Sequence, residues 1–138
     1  MSMKSKKRVL IITDGAKGTT EMAAGIAKAL KGNKVSIMGI SEFKGNDILP
    51  ADVFFLGCEK PKSGSFASDS YAYIKDLFLH INLAGRSCGV FSSGCTKTAK
   101  CLAGMVHDSE AALNPNPLLS SSNEEIKAWS QNILSKSF

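Results

Sequence analysis

The residues of this chain that are best suited to chemistry lie between a short apolar run, residues 9–12, and the pattern of an amphipathic helix. The connecting segment is polar and contains two glycines: Asp14, Gly15, Ala16, Lys17, Gly18 and Thr19. Backbone N–H groups at the start of a helix, with the positive end of its dipole, bind anions. The hydroxyl and N–H of Thr19 and the N–H groups of Lys17 and Gly18 are therefore candidate donors to phosphate oxygens. A well-capped turn without a ligand is the alternative.

Two further polar loops follow apolar strand patterns and complete the candidate site. The first contains Cys58, Glu59, Lys60, Pro61 and Gly64. The second contains Ser92, Ser93, Gly94 and Cys95. Ligands of parallel α/β sheets bind beyond the carboxyl ends of the strands. We therefore expect the three loops to meet at one edge of a sheet and to share a ligand.

The elements that position these loops alternate between strand and helix along the whole chain. Strands are predicted at residues 8–13, 34–38, 52–57 and 87–91, with a short edge strand around Leu118 and Leu119. Helices are predicted at residues 19–31, 67–81 and 97–112, with one turn near Ile48 and a last helix that begins with a Ser122–Glu125 capping box. This alternation indicates an α/β fold, a doubly wound five-stranded parallel sheet with helices on both faces.

The order and spacing of these features resemble a short-chain flavodoxin over residues 8–134. The resemblance rests on the loop after the first strand, the run 49–57, the segments that flank the fourth strand and the Ile126–Trp129 pair. It implies the strand order 2-1-3-4-5, with FMN bound at the carboxyl edge of the sheet. It also implies electron transfer, as a carrier more than as an enzyme with its own substrate.

The loops depart from the flavodoxin pattern at the positions that matter most for FMN. Asp14 stands where the family has a hydroxyl, and a carboxylate about 4 Å from a phosphate charge costs roughly 4 kcal/mol at an intermediate dielectric. Lys17 offsets part of this cost. Pro61 and Thr98 occupy the two positions at which aromatic side chains usually stack on the flavin. A flavodoxin-fold domain that does not bind FMN, and serves as an anion-binding or protein-interaction module, is therefore the alternative function.

Composition narrows the remaining choices. The 138 residues suit a single domain with a basic N-terminal tail, residues 1–7. The net charge is +5, but basic residues are not interleaved with aromatics as nucleic-acid binding would require. Neither a membrane span nor a signal peptide is visible, so a cytoplasmic protein is expected. The four cysteines form no metal-binding spacing, and no catalytic triad is visible. The expected partners are FMN or another small phosphate-bearing ligand and a redox protein.

Overall fold

Strands and helices alternate in the computed structural model, which describes residues 7–40, 42, 44–59, 69–94, 96–114, 116–120 and 122–136. The strands are β1 (Arg8–Thr13), β2 (Lys34–Gly39), β3 (Val53–Gly57), β4 (Ser87–Phe91) and β5 (Ala112–Leu113). The helices are α1 (Lys17–Ala29), α2 (Gly45–Ile48), α3 (Asp69–His80), α4 (Thr96–Asp108) and α5 (Asn123–Ser135).

The strands form one parallel sheet in the order β2-β1-β3-β4-β5, which confirms the order implied by the resemblance. Its register aligns the strand ends, because Thr13 pairs with Gly57 and Gly57 pairs with Phe91. The loops that follow β1, β3 and β4 therefore begin side by side at the carboxyl edge of the sheet.

Two apolar layers hold the sheet between its helices. Every residue of β3 is buried, as expected for a strand that is covered on both faces. On one face, Phe54 belongs to a core cluster shared with α3 and α4, and its ring centroid lies 6.1 Å from that of Phe78. On the other face, Phe55 belongs to a cluster shared with α1 and α5, 5.4 Å from the ring centroid of Trp129. Burial of each phenylalanine contributes roughly 1.5–3 kcal/mol to folding.

The fifth strand was predicted in the wrong place. Ladder hydrogen bonds begin soon after α4, where the Ala112 N–H donates to Arg86 O (2.8 Å) and the Asn114 N–H donates to Cys88 O (2.8 Å). Leu118 forms only an isolated bridge with Phe91. The edge of β4 is therefore covered by two short pieces of chain, and a strand as short as β5 carries no periodic signal of its own.

Helix boundaries also differ from the predictions. α1 begins at Lys17 instead of residue 19, so Thr19 lies within its first turn. α4 ends at Asp108, four residues before the predicted end. The expected capping box of α5 is not formed, because the Ser122 side chain makes no capping hydrogen bond.

Candidate functional site

A tight turn carries the chain from β1 into α1. Gly15 has a φ of 80°, in the left-handed region that favours glycine, and its N–H donates to Thr13 Oγ1 (3.3 Å). Ala16 precedes the helix in an extended conformation and offers no side-chain cap. The first turn of α1 therefore needs acceptors from elsewhere in the molecule.

Asp14 links this turn to the loop after β3. Its Oδ1 accepts a hydrogen bond from the Ala16 N–H (3.1 Å), and its Oδ2 accepts one from the Glu59 N–H (2.8 Å). The Asp14 N–H in turn donates to Gly57 O (3.3 Å). The carboxylate that replaces the hydroxyl of the flavodoxin pattern is thus a structural clamp between two of the three loops.

The side-chain carboxylate of Glu59 caps the start of α1. Its Oε1 accepts a hydrogen bond from the Gly18 N–H at 2.8 Å. A carboxylate there is favoured by the helix dipole and by the charge-assisted hydrogen bond. The third loop also reaches this point, since a Cβ built on Gly18 would lie 2.5 Å from Glu59 Oε1 and 2.6 Å from Ser93 Oγ.

Two hydroxyl groups at this edge are fully buried and have no hydrogen-bond partner among the described residues. They belong to Thr19, in the first turn of α1, and to Ser92, directly after β4. A buried polar group without a partner costs about 1–3 kcal/mol. Both hydroxyls are therefore candidates for contact with a ligand atom.

The sequence-predicted site residues divide into two groups. Those that the structure describes follow three adjacent strand ends: Asp14, Gly15, Ala16, Lys17, Gly18, Thr19, Cys58, Glu59, Ser92, Ser93 and Gly94. Lys60, Pro61, Gly64 and Cys95 lie outside the described residues. The structure thus brings the described parts of the three predicted loops to one edge.

Several groups at this edge are already engaged within the chain. The N–H groups of Ser92 and Gly94 donate to Leu118 O (3.0 Å) and to Leu119 O (3.2 Å), respectively. The Cys58 side chain belongs to the core cluster beneath α3 and α4. Thr98, at one of the positions where the resemblance to flavodoxins implies a stacking aromatic side chain, is 1% exposed. These groups therefore contribute to the shape of the edge more than to ligand contacts.

The role of Glu59 is the feature that sequence reasoning missed. The sequence places Glu59 in the second loop but does not show that its side chain reaches α1, 41 residues earlier. A carboxylate two residues after β3, beside a helix start without an acidic residue in its first turn, is the signal that could have indicated it.

The cysteines described by the structure differ sharply in accessibility. Cys58 and Cys88 are buried, whereas Cys101 is half-buried. Burial raises the pKa of the Cys88 thiol well above its ordinary value. The thiolate is the reactive form, so both burial and the raised pKa oppose reaction at this residue.

We therefore expect iodoacetamide to modify Cys101 but not Cys88 in the native protein. In urea, both residues should react, because unfolding removes the burial. Peptide mapping by mass spectrometry measures the difference. Modification of native Cys88 at the rate of Cys101 would contradict the described packing.

Within the described ranges, no cluster of three His, Cys, Asp or Glu side chains is arranged to hold a metal ion. In the same ranges, no helix has the length and apolar character needed to cross a membrane.

Comparison with solved structures identifies the fold. A short-chain flavodoxin associated with a non-canonical PDU bacterial microcompartment superimposes with a TM-score of 0.83 at 14% identity, covering 97% of this chain and 100% of that one. Flavodoxin 1 from Bacillus cereus gives 0.79 at 20% identity, covering 96% and 100%. Rubredoxin oxygen:oxidoreductase from Desulfovibrio gigas gives 0.71 at 21% identity, covering 93% of this chain but 35% of that one. No family model and no curated protein matches the sequence. The chain has the flavodoxin fold.

Proposed function

We propose that the chain binds FMN at the carboxyl edge of its sheet and acts as an electron carrier. The observation that carries this proposal is the polar environment at the start of α1. The Gly18 N–H already donates to an oxyanion of the chain itself, the Glu59 carboxylate. The fully buried Thr19 hydroxyl has no partner among the described residues. The structural neighbours named flavodoxins support the same assignment.

The phosphate end of FMN fits these residues. Phosphate oxygens accept hydrogen bonds, and the Thr19 hydroxyl is a donor at this position. The Gly18 N–H becomes a second donor when a phosphate oxygen replaces the Glu59 carboxylate. The exposed Lys17 adds a positive charge at the same helix start. When bound, the flavin supplies the electron-accepting ring, and the protein orients it and sets its electrostatic surroundings. A redox protein is the proposed partner.

A second candidate function is supported by the two carboxylates of this edge. Glu59 already occupies the Gly18 N–H, and Asp14 fixes the neighbouring backbone. A domain built in this way could retain the flavodoxin fold without FMN and bind another anion or a protein partner.

Titration of FMN with the purified protein separates these functions. We expect quenching of flavin fluorescence at micromolar protein, because the ring becomes bound at the edge of the sheet. Absence of quenching, with the fold intact by circular dichroism, would contradict FMN binding and favour the second candidate.

The substitution Thr19→Val tests the proposed phosphate ligand. Loss of one hydrogen bond to a charged oxygen weakens FMN binding by about 10- to 100-fold. Stability without FMN should be unchanged or higher, since the variant removes a buried hydroxyl that lacks a partner. The matched control is Thr20→Val, at an exposed position one residue later. Equal FMN affinity in the two variants would exclude the Thr19 hydroxyl as a ligand.

A further inference from the structure

We propose that the Glu59 carboxylate is a built-in competitor for the anion that α1 binds. This inference rests on the proposed function of the same edge and adds a residue that sets its affinity. Glu59 Oε1 accepts a hydrogen bond from the Gly18 N–H at 2.8 Å. This N–H is also the donor that we propose for the phosphate. A ligand oxygen and Glu59 cannot both take the same position.

Hydrogen bonds to Asp14 anchor the backbone of Glu59 beside the start of α1. Asp14 Oδ2 accepts the Glu59 N–H at 2.8 Å, and the Asp14 N–H donates to Gly57 O at 3.3 Å. Asp14 is itself fixed to the helix start through the Ala16 N–H. The backbone of Glu59 is therefore anchored beside α1, and only its side chain has to move to admit a ligand.

Glycine at position 18 is part of the same arrangement. A Cβ at this position would lie 2.5 Å from Glu59 Oε1 and would push the carboxylate away. The close approach of the carboxylate to the helix therefore depends on the absence of a side chain.

The competition has a defined consequence for ligand choice. The apparent affinity of a ligand is its intrinsic affinity multiplied by the fraction of molecules in which its site is open. A singly charged carboxylate already satisfies the Gly18 N–H, so a weak monoanion gains little by replacing it. A phosphate monoester carries more charge and more acceptor oxygens, and is the class of ligand that can displace Glu59.

The test uses the whole chain and two variants, Glu59→Gln and Glu59→Ala. Glutamine keeps an acceptor oxygen but removes the charge, whereas alanine removes both. The probes are inorganic phosphate and FMN, followed by calorimetry and by the NMR signal of the Gly18 amide. The control is Glu124→Gln, which removes an exposed carboxylate from the first turn of another helix, α5.

We expect phosphate to bind the glutamine variant about 10-fold and the alanine variant up to about 100-fold more tightly than the unmodified chain, since glutamine keeps only a neutral acceptor for the Gly18 N–H and alanine keeps none. The Gly18 amide signal should move in both variants and move again when phosphate is added. The control should match the unmodified chain in both readouts. Circular dichroism confirms that each variant is folded.

The outcomes distinguish this inference from the proposed function. Tighter phosphate binding by the Glu59 variants supports competition even if FMN does not bind. Phosphate binding that is no tighter in either variant, with FMN still bound, would overturn competition while leaving the electron-carrier proposal intact. Failure of all three proteins to bind either probe would overturn both.

Discussion

Replacement of Gly57 by alanine should lower the free energy of unfolding by about 3 kcal/mol, the upper end of the typical cost of overpacking a core, because the position is buried. The added Cβ would lie 2.1 Å from Cε2 and 2.3 Å from Cζ of Phe91. The ring of Phe91 is fully buried and belongs to the core cluster beneath α1 and α5, so it has little room to move. Gly57 and Phe91 are also register partners at the edge that carries the candidate site.

The control for this prediction is Gly104→Ala. Gly104 lies within α4, and a Cβ there would meet no atom within 4 Å. Alanine in a helix interior is favoured over glycine by roughly 0.5–1 kcal/mol, so this variant should be slightly more stable. Urea unfolding measures both variants. Equal stability of the two would show that the space beside Gly57 is not limiting.

Replacement of Phe55 by alanine should cost about 3–5 kcal/mol, the typical effect of removing a buried aromatic side chain. Phe55 lies in the centre of the sheet and packs against Trp129, with ring centroids 5.4 Å apart. Trp129 is the only tryptophan of the chain, so its fluorescence reports this contact. We expect a red-shifted emission in the folded variant, together with a lower urea midpoint.

The control for Phe55 is its neighbour on the opposite face. Phe54→Ala also removes a buried phenylalanine side chain, but from the core layer on the other face of the sheet, where Phe54 packs against Phe78. It should cost a similar free energy but leave the Trp129 emission of the native state unchanged. A red shift of equal size in both variants would contradict the separation of the core into two layers.

The sequence predicts the four long strands well because their physical signal is local. β3 is a continuous apolar run covered on both faces, and β1 is a similar run that ends in a polar turn. The position of β5 is not determined by its own residues, because it depends on hydrogen bonds to the chain around β4. The Ala112 N–H donates to the carbonyl group of Arg86, just before β4, and the Asn114 N–H, just after β5, donates to that of Cys88 on β4. Leu118 offers a more apolar but incorrect alternative.

The site shows the same division between local and distant information. That three loops meet at one edge follows from the geometry of a parallel sheet and is confirmed for the loops as far as they are described. The partners of individual side chains depend on register. The contact between Glu59 and Gly18 spans 41 residues, and it exists because Thr13 and Gly57 are paired in the sheet. A sequence pattern does not contain that pairing.

The bonds that cap α1 from a distance also bear on the order in which the chain acquires its structure. The acceptor for the Gly18 N–H lies 41 residues later in the sequence, on Glu59. The Glu59 N–H, which donates to Asp14, lies 45 residues after Asp14. Contacts between residues so far apart in sequence tend to form after local ones, because closing the intervening loop costs conformational entropy. We therefore expect the first turn of α1 to become fully ordered only when β3 has paired with β1.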